Sequence, residues 1–299
     1  MKLIKTFYTI LTITILANML SAQDHKPYIL AATSEASHSE VSVIVKNKLT
    51  ESGLSVIGEY SPAKDSNRKV LIVTSDELKN AVKSIGGLTG FASALRVAIT
   101  SEIGKINISY TNPVYWGNAY FGDDYHKVQS NYVAVTKKIQ TALAKVGETK
   151  NLPFGSDKGI SDKNLRKYRY MIGMERFDDV VKLGEFDSFD KAVSTIDAKL
   201  ANSKDLIYSI EYPEQKLKLY GIAIGGEKGE EHFLPIIDIS TPKHTAFLPY
   251  ELLIIDNKAV MLHGRYRIAL SFPDLTMMTF SKIMSTPGDI KDALQLYTK

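Results

Sequence analysis

The chain has 299 residues, 44% of them hydrophobic and 9% aromatic, with 37 basic against 33 acidic residues and no cysteine. That composition excludes a disordered chain, a disulfide scaffold and any site built on thiolates. A net charge of +4, spread along the sequence, argues against nucleic acid or an anionic membrane surface as partner.

Lys2 and Lys5 precede an apolar stretch over 7–20, which ends in Ser21 and Ala22 and gives way to polar Gln23, Asp24 and His25. This charged, apolar, small-residue order is that of a cleavable secretory signal peptide over 1–22. Thr9, Thr12, Thr14 and Asn18 dilute the stretch, which falls short of the ~20 apolar residues a membrane span needs. The expectation is a periplasmic or secreted protein with no membrane span once the signal is removed. Without those 22 residues 277 remain, a natural length for two domains, and the charge excess falls to +2 because the leader holds two lysines and no acid.

Ser37, His38, Ser39 and Glu40 form a capping box, Val41, Ile44, Val45 and Leu49 a helical stripe, and Gly53 a stop. Strands are predicted over 54–60 and 70–73, a short helix from Ser75 to Ile85, and a hairpin of 95–100 with 105–110 turning at Gly104. Tyr132, Val135, Ile139, Leu143 and Val146 mark a closing helix ended by Gly147. Residues 148–164, rich in Gly, Pro, Asn, Ser and Lys, read as a linker between a first domain at 23–147 and a second at 165–299. In the second, a helix from Ser188 carries Phe189, Ala192, Val193, Ile196 and Leu200. Strand-like runs follow at 206–212, 217–224, 233–239, 250–255 and 259–272, and a last helix begins at Thr286 and Pro287. The fold class is therefore α+β, antiparallel sheets packed by helices. The shared apolar spacing of 137–143 and 288–294 supports duplication.

Four segments, GLSVIGEYSP at 53–62, VLIVTSDELKNAVKS at 70–84, GFASALRVAIT at 90–100 and ISYTNPVYWGNAYF at 108–121, resemble the domain-of-unknown-function 302 family. The second half is similar through FLPYELLIIDNKAVML at 247–262; it departs in lacking the TSDELKN helix and in inserting GGEKGEEHF at 225–233. The resemblance implies two tandem TBP-like domains, each a curved antiparallel sheet gripped by helices, and brings no catalytic residues. A fold gives no licence for DNA binding; function has to come from a site.

Two groups of side chains are worth weighing as ligand-binding residues. Tyr115 and Trp116, in the run from Tyr110 to Phe121, serve either as a stacking platform or, more ordinarily, as core. His263, Arg265 and Arg267 share one face if 259–272 is a strand, and would present an imidazole and two guanidinium groups to an anion. The bland alternative is a solvated face whose arginines pair with acids such as Glu251. Arg96, Thr100 and Glu102 form a weaker counterpart in the first half. Glu230, Glu231, His232 and His244 lack metal-ligand spacing, so no metal or cofactor is expected. Neither a nucleophile elbow nor a phosphate loop occurs, and the Ser-x-x-Lys matches lack their companion elements. The expected function is a non-enzymatic exported protein that binds a small, anionic ligand; the alternative is a structural or protein-interaction component of the cell envelope.

Overall fold

The structure, a computed structural model, describes residues 24–299; the expected signal peptide lies outside the described residues. In chain order the first half contains β1 (Asp24–His25), β2 (Tyr28–Ser34), α1 (His38–Glu51), β3 (Ser55–Tyr60), β4 (Arg68–Thr74), α2 (Asp76–Ile85), β5 (Leu95–Glu102), β6 (Lys105–Thr111), α3 (Pro113–Phe121), α4 (Tyr125–Leu143) and β7 (Glu148–Phe154). After β8 (Ile160–Ser161) and α5 (Asp162–Leu165) come β9 (Val181–Glu185), α6 (Phe189–Leu200), β10 (Leu206–Tyr212), β11 (Leu217–Ile222) and α7 (Glu230–Ile237). The chain ends with β12 (Tyr250–Ile255), β13 (Lys258–Met261), α8 (Gly264–Ser271), α9 (Met277–Ser281) and α10 (Thr286–Gln295). The protein is α+β, with antiparallel sheets packed by helices. No helix among the described residues is long and apolar enough to cross a membrane.

One sheet has the order β3-β4-β5-β6-β2-β7, the other β10-β11-β12-β13-β9. With β7 set aside, each sheet lists its strands as second, third, fourth, fifth, first, and helices interrupt both series at the same places. The α7 helix occupies between β11 and β12 the position that α2 holds between β4 and β5. The expected lack of a helix at this place in the second half is thus corrected: α7 stands there with a different sequence.

Local chemistry explains the elements that were expected. The Ser37 hydroxyl accepts from the Glu40 amide while Glu40 returns to the Ser37 amide, which starts α1. Gly86, at φ 76°, ends α2 in a conformation that β-carbons disfavour. Apolar Val70, Ile72, Val97 and Ile99 are fully buried along β4 and β5.

Two expectations are overturned, and the stretch expected as a linker holds a strand. The run 233–239 belongs to helix α7 rather than a strand: Phe233, Leu234 and Ile237 are buried at helical spacing, and an apolar run of that length carries no period of its own. The strand expected over 259–272 stops at Met261, and α8 takes the rest. The expected linker begins with β7, which pairs with β2 at the sheet edge, where Pro153 removes no ladder hydrogen bond that a central strand would need.

The two sheets meet where β3 passes β10. A β-carbon on Gly58 would collide with the Ile207 carbonyl and come within 3.1 Å of Tyr208 Cβ. Gly58→Val is therefore expected to cost roughly 1–3 kcal/mol by forcing the two backbones apart, read as a lower urea midpoint; an unchanged midpoint would mean the strands do not approach this closely.

Candidate functional site

The helical conformation of α8 removes Arg267 from the group that a strand would have assembled. Residues two apart share a strand face but stand about 200° apart around a helix. His263 caps α8, its Nδ1 accepting from the Arg265 amide at 3.3 Å. Arg265 stays at the surface, 3.5 Å from Glu175, which also stands 3.5 Å from His263 Nε2. Arg267 is 2% exposed and points inward. Its guanidinium donates to the Phe247 carbonyl at 2.6 Å and to Ser271 Oγ at 3.2 Å, and lies 4.6 Å from the Trp116 ring centroid.

Tyr115 and Trp116 are core residues of α3, a helix the sequence reading did not place. Its signal was present: Asn112 accepts from the Val114 amide and Pro113 follows at the first helical position. Helices α3 and α8 occupy corresponding places after β6 and β13, and they meet reciprocally. The Tyr115 hydroxyl donates to the Leu270 carbonyl at 2.8 Å, and that of Tyr266 to the Ala119 carbonyl at 3.4 Å. Each tyrosine lies three residues beyond its helix cap and each carbonyl seven beyond, so one contact appears twice with the halves exchanged. Of the residues expected to hold a ligand, Tyr115, Trp116 and Arg267 thus pack into the contact between these helices, while His263 and Arg265 stand beside Glu175.

The seam between the halves also contains charge. Arg96 on β5 pairs with Glu251 on β12, and Tyr208 donates to the same Glu251 oxygen. Burial alone would lower the Arg96 pKa, but the Glu251 charge beside it raises it above the ordinary value. Burial, then Glu251, pushes the Tyr208 phenol well up. Arg68 bonds Asp238 and, at 2.8 Å, Thr245 Oγ1. Glu230, 2% exposed, accepts from the Ala63 amide at 3.0 Å and the Tyr60 hydroxyl at 3.1 Å. Thr100 donates to Glu102 at 2.5 Å, and Glu102 also accepts from the Lys243 amide at 3.2 Å. The first-half counterpart group therefore serves this seam, and the acid named as a partner for Arg265 and Arg267 pairs with Arg96 instead. Asp238 and Glu230 were not singled out from sequence, because a buried acid is spelled like an exposed one.

Arg265, one of the five residues expected to bind a ligand, borders a cavity. Between the 170–174 loop, α8 and α9 runs a narrow, open groove with Met171, Met174, Ile268, Ala269, Met277 and Phe280 among its walls. Its surface is almost wholly apolar and Arg265 is its one charged residue. No protein-family model matches the chain, and no curated protein does. Among solved structures it is similar to an uncharacterized conserved protein DUF302 from Bacillus stearothermophilus. That likeness has 14% identity and a TM-score of 0.35, and covers 40% of this chain and 97% of the other. No cluster of three or more metal-ligating side chains converges among the described residues. Chemically, the groove offers an apolar enclosure with a cation at its lip.

Proposed function

We propose that the chain is an exported, non-enzymatic binding protein whose ligand has an apolar body and an anionic end, held in the groove beside Arg265. The observation that carries this reading is the pairing of a nearly all-apolar wall with a single guanidinium, itself opposed only by Glu175 at 3.5 Å. Thioether side chains suit such a wall, because they adapt to irregular apolar shapes. The reading retains an anionic ligand and Arg265, and leaves Arg267, Tyr115 and Trp116 to the seam. The division into two tandem TBP-like copies at 23–147 and 165–299, related to the domain-of-unknown-function 302 family, belongs to the same proposal. Its support is the common strand order, the exchanged tyrosine contacts and the motifs at 53–62 and 108–121. Export rests on the leader pattern alone, and fractionation of producing cells tests it: cytosolic uncleaved protein would refute it.

Calorimetry with dodecanoate and dodecanol tests the groove. Arg265→Ala is expected to weaken dodecanoate about tenfold and leave dodecanol unchanged, while Ala269→Phe, which fills the groove, abolishes both. Failure of dodecanoate to bind, or indifference to both substitutions, would overturn the assignment.

A second reading is an envelope protein that docks a partner here. It is favoured by Ile172 and Met278, which are 89% and 75% exposed and follow Met171 and Met277 of the groove directly in sequence. A strictly monomeric protein that retains nothing from envelope extracts would argue against it.

A further inference from the structure

On the other side of the 166–178 segment lies a second cavity, independent of the groove. It measures about 740 Å³ with its open mouth, and its walls are the end of α3 from Ala119 to Gly122, Thr89, and the chain at 166–168 and 176–178. Three of its lining residues are cationic, Arg166, Lys167 and Arg176; Asp178 is the one acid among them.

The cations are not equally free, and the difference is informative. Asn118 is fully buried and its amide nitrogen donates to the Val114 carbonyl at 2.9 Å and to Asp162 at 3.1 Å. Its oxygen must therefore face away from both, and it accepts from Arg166 Nε at 2.8 Å. Asp162 is further occupied by His25 Nε2 at 2.8 Å. The Arg166 guanidinium is held in place by a neutral group, with the nearby acid already engaged and its terminal nitrogens unbonded among the described residues. The Arg176 guanidinium has no acid or hydrogen-bond partner among the described residues; only its backbone is engaged, its amide donating to the Asp179 carboxylate at 2.8 Å and its carbonyl accepting from the Asp179 amide at 3.2 Å. Lys167 faces Asp123 at 3.8 Å with both side chains mostly exposed, a pairing that solvent screens. The cavity thus has a net charge of +2, with one pre-oriented fork and one unpaired fork beside it. The Phe177 ring, stacked on Tyr120 at 5.1 Å, supplies an apolar wall.

We infer that this cavity binds a phosphomonoester or free phosphate, the dianion clasped by Arg166 and Arg176 with Lys167 at the mouth. Planar forked donors match tetrahedral oxyanions two bonds at a time, which lysine cannot do.

The test is a 31P NMR titration of the full chain with inorganic phosphate and with phenyl phosphate at constant ionic strength, sulfate serving as competitor. Saturable binding is expected, with Arg166→Met and Arg176→Met each weakening it about tenfold and Lys145→Met, on the lysine-lined surface just past the end of α4, without effect. Tighter binding of phenyl phosphate would identify an ester as the ligand, and equal binding free phosphate. Arg176→Met decides alone if Arg166→Met fails to fold, since the Arg176 side chain holds no other group. No saturation by about 10 mM, unchanged affinity in the arginine variants, or an equal loss in Lys145→Met would overturn the inference.

Discussion

Arg96→Met is expected to destabilise the protein by about 3–5 kcal/mol, because it leaves the Glu251 carboxylate buried with only the Tyr208 hydroxyl for company. Arg96 and Glu251 side chains are each 2% exposed, so water cannot take over the lost partner. The pair itself is a poor source of net stability. Arg96 Nε and Glu251 Oε2 have no protein partner, and two desolvated charges return in attraction roughly what they lost in hydration. Arg96→Met combined with Glu251→Leu should therefore recover most of the loss. Urea denaturation followed by Trp116 fluorescence measures both. A single-variant loss below about 1 kcal/mol would place the pair in solvent rather than in the seam.

The second large effect is on pH dependence. Burial lifts the Glu230 carboxyl to about 7, against the hydrogen bonds from Ala63, Ile224 and Tyr60 that favour its ionised form. In the unfolded chain the group titrates at its ordinary value of 4.5. Between 4.5 and 7 the folded state holds the extra proton, so stability from this group is complete below the lower value and is lost as pH rises through the upper one. The size is on the order of 3 kcal/mol at most. His244 acts in the opposite direction: burial lowers its pKa, so acid works against the folded state there. Comparing Glu230→Gln with the parent protein isolates the carboxyl, since His244 is common to both. The variant is expected to match the parent below about pH 4 and to exceed it in stability by up to ~3 kcal/mol at pH 8. Parallel profiles would show that Glu230 ionises normally.

The sheets were legible in the sequence wherever one face meets the helices: β3 to β6 and β10 to β12 stand close to their expected places, and the Asp256-Asn257 turn fixes the second hairpin. The helices α3 and α8 were not. Eight of the nine residues of α3 are buried, and so are Tyr266, Arg267, Ile268, Leu270 and Ser271 of α8. A helix enclosed on all sides shows no polar stripe, and its periodicity disappears. Both are enclosed because they lie in the seam, so the burial that hid their conformation also withdrew Trp116 and Arg267 from solvent. Without the conformation of α8, alternate positions read as one face, and Arg267, which points inward, looked like a neighbour of His263 and Arg265, which share Glu175. The groove was illegible for another reason: its walls come from 170–174, α8 and α9, and the first of these is some ninety residues from the other two in sequence.

Methionine methyl NMR during a dodecanoate titration tests the binding account most directly, because three of the eight methionines, 171, 174 and 277, line the groove, while Met261 lies buried in β13. The account predicts saturable shifts of the Met171, Met174 and Met277 methyls, lost in Ala269→Phe, with Met261 unmoved. Resonances that stay fixed at saturating dodecanoate, or shifts that survive the filling of the groove, would contradict it.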